Sequence, residues 1–317
     1  MPTNMIDRSA AGALIPDEYV REIFKAVTEN SAALALMRRL PNMSRKETKL
    51  AVTSALATAG FIGGDTGLKP LSSAGWINKI ITAEEIAVII PIPEAVLDDA
   101  DYDIWAEVKP QIIEAFGKVI DAAMFFGVDA PTSWPAGVVP AAVAAGKSIA
   151  LGTADDIALD VSDGMSLVET SGYEVTGFAA AMSTKAQLRG LRDLSNALLF
   201  QPSLTVGTPA TLYGQPIHYP RNGAWDASQA LMLGGDFKQA VYAVRQDMTY
   251  KLLTEAVITD SNNEIIYNLA QQDMVALRCV MRLGWQLPNP INRMDENATT
   301  RYPFFVLQPA AQPDPAP

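Results

Sequence analysis

DDADYDIWAEVKPQIIEAFGKVIDAAMFFG, residues 98–127, reads as one long amphipathic helix with a marked start and stop. Asp103 is placed to act as an N-cap, and Gly127 can adopt the left-handed conformation that closes a helix. Ile104, Val108, Ile112, Phe116, Val119, Ile120 and Ala123 recur at spacings of three and four, so a 3.6-residue period gathers them on one face. Asp103, Glu107, Glu114, Lys118 and Asp121 fall mostly off that stripe. At 1.5 Å per residue the helix spans about 35 Å, enough to cross a whole domain. Pro110 removes one backbone hydrogen bond and is expected to bend the first turns away from the rest.

Just before this helix, EEIAVIIPIP alternates Ile86, Val88, Ile90 and Ile92 toward one face, and Pro91 and Pro93 suit a sheet edge or strand end. Trp76 to Ile92 reads as one strand and Glu47 to Leu56 as another. The roughly twenty residues between them are too many for a structureless loop inside a compact domain. They are rich in glycine (Gly60, Gly63, Gly64, Gly67, Gly75), which fits a projecting two-stranded flap with a pliant tip. Such a ribbon is marginal in water and needs a neighbouring subunit to lie upon. Further out, the sequence predicts a helix from Asp17 to about Thr28, with Tyr19, Ile23, Phe24 and Val27 on its apolar face. A second helical segment, Ser31 to Leu40, is closed by Pro41 and carries Arg38 and Arg39. This arm has little core of its own.

Beyond Gly127 the chain is turn-rich until a helix from Asp155 to about Thr170, which offers Ile157, Leu159, Val161, Met165 and Val168 for burial. A strand near Val175 to Met182, a helix from Ser183 to Leu191 and a strand from Thr211 to Tyr219 interrupted at Gly214-Gln215-Pro216 come next. Asp236 to Leu253 reads as two short strands with a turn near Gln246-Asp247. After Ser261-Asn262-Asn263 the pattern gives a turn of helix and then the clearest strand. There Val275, Leu277, Cys279, Met281, Leu283, Trp285 and Leu287 face one way, and Arg278, Val280, Arg282 and Gln286 the other. The mixture points to an α+β fold. The tail from Gln308 is proline-rich and expected to fray.

Composition narrows the function. The 317 residues, 49% hydrophobic, support a sizeable core. A net charge of −11 and a pI near 4.6 argue against a surface that grips nucleic acid through its phosphates. One cysteine, Cys279, permits neither an internal disulfide nor a cysteine-based metal cluster. No long apolar run or signal peptide is present, so the chain is expected to be soluble and cytoplasmic when made.

The chemical motifs are weak. Ala145-Gly146-Lys147-Ser148 resembles the end of a phosphate-binding loop, but Ala141 stands where the first glycine is required. His218, the sole histidine, lacks the neighbours of a triad or zinc site. Asp98, Asp99, Asp101, Asp103, Asp155 and Asp156 stand where helix N-termini favour negative charge, so capping is the expected role. No catalytic, cofactor or metal site assembles, and the chain is not read as an enzyme.

The order of elements, arm, flap, long helix, mixed region and returning strand, resembles the major capsid protein family of tailed bacteriophages with the Hong Kong 97-like shell fold. The likeness rests on Ile15-Pro16-Asp17-Glu18-Tyr19, Pro91-Ile92-Pro93-Glu94, Ile120-Asp121-Ala122-Ala123 with Phe126-Gly127, Leu212-Tyr213-Gly214-Gln215-Pro216, Gly235-Asp236-Phe237 and Ala276-Leu277-Arg278. It implies an N-terminal arm (1–45), an E-loop (46–92), a P-domain (93–170) with a spine helix about 103–126, an A-domain (171–254), and a return to the P-domain with a tail (255–317). It further implies a homo-oligomer of hexamers and pentamers closing into an icosahedral shell in the virion, assembled in the host cytoplasm. The shell would enclose DNA without binding it specifically and without a membrane. Arg38, Arg39, Phe61, Asp65, Lys69 and Trp76 are the expected inter-subunit contacts.

Many members of that family carry a long N-terminal scaffolding segment, whereas here Ile-Pro-Asp arrives within fifteen residues, so the resemblance implies a separate scaffolding protein, unless none is needed, beside a portal and a decoration protein. Some relatives join subunits through a Lys–Asn isopeptide bond. Lys69 and Lys79 lie in the flap, but Asp273 and an apolar run around Cys279 and Val280 occupy the corresponding strand, so a non-covalent shell is expected. Two other readings compete: an encapsulin-like nanocompartment shell, and an acidic monomeric hydrolase using the aspartate clusters.

Overall fold

The computed structural model describes residues 31–62, 68–99, 104–191, 211–260 and 262–310. The expected Asp17–Thr28 helix, the Asp103 cap, Asp65 and the end of the tail lie outside them. The long helix is α3 (Ile104–Asp121), which runs through Pro110 and ends in a π-helical turn, Ala122–Phe126. Gly127 closes that turn with φ 73°, and its N–H returns to Ala123 O. The left-handed angle is one that a glycine adopts without a Cβ clash.

Ile112, Phe116, Ile120 and Ala123 are buried as the periodicity requires, whereas Val119, expected on the stripe, is 47% exposed. The π-turn adds Met124, Phe125 and Phe126 to the core. Asp121, expected off the stripe, is only 1% exposed, because it stands four and eight residues after Gly117 and Ile113, on the same buried face of the helix.

Ahead of α3 come α1 (Ala32–Leu36), β1 (Arg38–Arg39), β2 (Glu47–Ala55), β3 (Gly75–Thr82), β4 (Glu84–Pro93) and α2 (Glu94–Asp99). The expected helix Ser31–Leu40 is thus half helix and half strand. Arg38 and Arg39 leave the helix to pair in parallel with Val241 and Tyr242. The single strand expected from Trp76 to Ile92 is two strands in different sheets. It breaks at Ala83, whose N–H bonds to Lys46 O, so β3 stays with β2 while β4 turns to β13 (Met274–Gln286).

After α3 follow α4 (Val138–Ala144), β5 (Ser148–Ala150), α5 (Ile157–Thr170), β6 (Gly177–Ala180), α6 (Met182–Gly190), β7 (Thr211–Leu212), β8 (Gln215–His218) and β9 (Met232–Gly235). The chain ends with β10 (Val241–Leu253), β11 (Val257–Thr259), β12 (Ile265–Asn268), β13 and β14 (Phe304–Gln308). Three expectations are corrected here. β10 is one strand, and the irregularities between Val244 and Gln246 and between Gln246 and Thr249 stand where a turn was expected; the extra residues are absorbed as bulges. The short helix expected before β13 is instead the hairpin β11–β12. Leu159, expected to be buried in α5, is exposed, while Ile157, Val161 and Val168 are buried.

Two larger sheets organise the subunit. One has the order β1-β10-β13-β4 and the other β5-β14-β9-β6-β8-β7. In the first, Cys279, Met281, Leu283, Trp285 and Leu287 share one buried cluster with Ile112, Phe116 and Ile120 of α3, so the stripe and the strand row meet in a common core. The second sheet packs Phe178, Met232, Phe305 and Leu307 with Ile157, Val161 and Val168 of α5. A small third cluster, Met43, Ile81, Ala83, Val241 and Ala243, lies where the flap meets the body. The expected boundaries at 171 and 254 cut across both sheets: β10 lies in the first and β14 in the second.

Candidate functional site

The flap is the antiparallel hairpin β2–β3, with register Glu47↔Thr82 to Ala55↔Gly75. Both of its faces carry exposed apolar groups, Trp76, 68% exposed, and Ile80 on one and Ile77 on the other, and Phe61, Leu68 and Leu71 near the tip are almost wholly in solvent. Isolated exposed apolar residues need no explanation, but this many on one projecting ribbon mark a docking surface. Within the tip, Ser72 Oγ accepts from Thr58 N at 2.7 Å. Of the expected contacts, Phe61, Lys69 and Trp76 therefore line this exposed ribbon and its tip.

The root of the hairpin is clasped. Lys79 Nζ donates to Leu287 O at 3.0 Å, Gln286 Nε2 to Ile80 O at 2.9 Å, Ile291 N to Thr53 O at 3.2 Å and Arg293 Nη2 to Ala57 O at 2.6 Å. Trp134 Nε1 donates to Thr82 O at 3.1 Å, and at Gly284 an added Cβ would fall 2.3 Å from that same carbonyl oxygen. Only a residue without a side chain lets β13 pass so close to the end of β3. Burial, and secondarily the charge of Arg301, lowers the pKa of Lys79.

The clasping segment is itself held from behind. The buried Arg301 donates to Asn289 O at 3.2 Å and Asp295 O at 2.9 Å, and Tyr173 Oη donates to Asn289 Oδ1 at 2.8 Å. A groove of about 230 Å³ runs between hairpin and body, lined by Arg38, Leu40, Val52, Val241, Pro288 and Pro290. Arg38 and Arg39 thus sit at the root of their own flap. Arg39 Nη2 donates to Asn42 Oδ1 at 3.0 Å.

A second fastening, invisible to periodicity, holds the arm. The buried Asp121 carboxylate accepts from Ser31 Oγ at 2.7 Å, Ala32 N at 3.0 Å, Ala33 N at 2.9 Å and Asn222 Nδ2 at 2.6 Å. It ties the start of α1 and the 219–225 loop to the end of α3. Trp225 of the same loop packs edge-on against Phe125 and Phe126, with ring centroids 5.6 and 5.4 Å apart.

The remaining motifs take structural roles. Gly146 ends α4 with φ 71°, and the Lys147 Nζ donates to Leu167 O at 3.0 Å, so the phosphate-loop likeness is a helix terminus tied to α5. Asp156 caps α5 by accepting from Leu159 N. Among the described residues no group of three or more histidine, cysteine or acidic side chains could hold a metal ion, and no helix is long and apolar enough to cross a membrane.

His218, in β8, is half-buried, and burial lowers its pKa against the opposing charge of Asp121, with Arg221 lowering it further. A depressed folded pKa gives a stability contribution that is present above the ordinary value of about 6.5 and lost as pH falls through the folded value. The only imidazole in the NMR spectrum is expected to titrate below that ordinary value, and His218→Gln to flatten the acid loss of stability. Titration at or above it would refute the assignment.

The sequence matches the family model described as the phage capsid family over residues 11–291. The curated major capsid protein of Staphylococcus phage 80alpha is 25% identical over 287 residues, 89% of this chain and 84% of that protein. A solved chain from Microbacterium phage Oxtober96 superposes with a TM-score of 0.79 at 38% identity, covering 96% of this chain and 99% of that one. One from Mycobacterium phage Cain gives 0.78 at 33% identity, covering 98% and 100%.

Proposed function

The chain belongs to the phage capsid family and serves as a major capsid protein of a tailed phage, and from that premise we propose how its parts build the shell. Subunits associate as hexamers and pentamers that close an icosahedral shell around the genome. Residues 46–92 act as the E-loop, 1–45 as the N-terminal arm, 93–170 with 255–317 as the P-domain and 171–254 as the A-domain. The observation that carries this reading is the clasped flap, whose exposed apolar side chains find no cover among the described residues. A rigid root and an uncovered ribbon suit a lever that lies on a neighbour.

Phe61, Asp65, Lys69 and Trp76 contact that neighbour, and Arg38 and Arg39, exposed at the root of the flap, contact a neighbouring subunit as well. Scaffolding, portal and decoration proteins are the further partners this reading proposes, and assembly takes place in the host cytoplasm. The net charge of −11 keeps the wall from adhering to the packaged DNA. The role is structural, without a catalytic step. Expressed protein is expected to elute as capsomers or larger particles and to show closed shells in negative stain; a stable 34.0 kDa species under all conditions would overturn the reading.

A further inference from the structure

Building on the shell-forming reading, we propose that the hairpin β11–β12 of one subunit docks on the outer face of the β1-β10-β13-β4 sheet of a second copy. Its exposed glutamates and isoleucines would seat against Lys251, Arg278 and Ile89. The hairpin belongs to none of the buried clusters. Ile265 is 66% exposed, and Val257 and Ile266 are exposed as well. Ile265 and Ile266 are consecutive in a strand, so they point to opposite faces, and an isolated two-stranded ribbon is not stable uncovered. Glu255 and Glu264, at its two ends, are exposed, and their carboxylates have no ion-pair partner among the described residues.

The receiving face supplies the opposite chemistry. The strand register sets Lys251 directly against Arg278, and Arg278 against Ile89. Like charges directly opposite each other are destabilising, and here no carboxylate relieves them among the described residues. Four residues along the same strand and face the subunit does relieve such a charge: Arg282 lies opposite Glu85 and forms an ion pair with it. The Lys251–Arg278 pair is therefore a basic patch beside an exposed isoleucine, complementary to a hairpin with two glutamates beside exposed isoleucines. Because the two patches differ, the contact is head-to-tail, and a repeated head-to-tail contact closes a ring when its rotation permits.

The test uses the whole chain, in a mixture of heavy- and light-isotope-labelled protein treated with a zero-length carbodiimide, which joins a carboxylate to an amine with loss of water. An amide between Lys251 of one copy and Glu255 or Glu264 of another is expected, and it should vanish in Lys251→Glu. In parallel, K251E with R278E, or E255K with E264K, should lower particle yield by about tenfold or more, and the fourfold variant should restore it to near the parent level. All four sites are exposed, so circular dichroism should show folded subunits throughout. Shells that form without the inter-copy amide, with both reversed variants assembling at parental yield, would overturn the docking contact and leave the shell reading standing. The amide without shells would do the reverse, and neither amide nor shells would overturn both.

Discussion

Deleting Thr58–Ser73 is expected to leave a folded subunit that no longer closes a shell. The deletion joins Ala57 to Ala74 just beyond the Ala55↔Gly75 pair, so the two strands remain connected by a three-residue turn, a common hairpin length. The clasp survives, because Thr53, Lys79, Ile80 and the Ala57 carbonyl all lie outside the deleted stretch. The described residues of the tip add nothing to the subunit's buried clusters, so the thermal midpoint should change little. What disappears is Phe61, Leu68 and Leu71, each of which would gain about 1.5–3 kcal/mol on burial against a neighbour. That is a loss of about 5 kcal/mol or more per contact, repeated over every subunit of a particle. Closed particles of normal size in negative stain would show the flap tip to be dispensable.

The largest effect on the folded subunit is expected at Asp121. Asp121→Ala strips the acceptor from Ser31 Oγ, two backbone N–H groups and the Asn222 amide, all buried. Unsatisfied buried donors cost about 1–3 kcal/mol each before relaxation, so a net loss of about 3–5 kcal/mol is expected. The arm should come away first, since Asp121 holds the first turn of α1. Trypsin cleavage after the exposed Arg38 and Arg39 should accelerate well ahead of global unfolding. Unchanged cleavage and a denaturation midpoint close to the parent would overturn this role.

Asp121 also sets a pH dependence. Burial pushes its pKa above the ordinary 3.8, while hydrogen bonds from Ala33, Ser31, Asn222 and Ala32 pull it back. With the folded value raised, its contribution is complete below the unfolded value and declines as pH rises through the folded one. Asp121→Asn should abolish that decline while remaining less stable overall, because its amide turns a donor toward groups that are donors themselves.

The long helix and the β13 row were legible because their periods run unbroken over many residues, and both the stripe and the row are buried largely as read. Asp121 was not legible, since an acidic residue near the end of an amphipathic pattern reads as solvent-facing. Its partners Ser31 and Asn222 lie 90 and 101 residues away, and no local signal connects them. Ala83 hides the boundary between β3 and β4 for the same reason. It offers neither glycine nor proline, and the break is set by a bond to Lys46. In β10 the polar pair Gln246-Asp247 imitated a turn, because a bulge and a turn place similar residues in sequence while only the former continues the ladder. The apolar flap was readable as a ribbon, but the clasp that aims it comes from residues 286–293, more than two hundred positions later in the chain.

That separation governs the timing of folding. The sheet under the flap takes its strands from residues 38–39, 84–93, 241–253 and 274–286, so it cannot close until nearly the whole polypeptide has left the ribosome. Contacts this distant in sequence form slowly, after the local helices and hairpins. An emerging chain therefore carries a flap without a fixed aim. Only a finished subunit can offer it to a neighbour, which keeps nascent chains from joining a growing particle before they are complete.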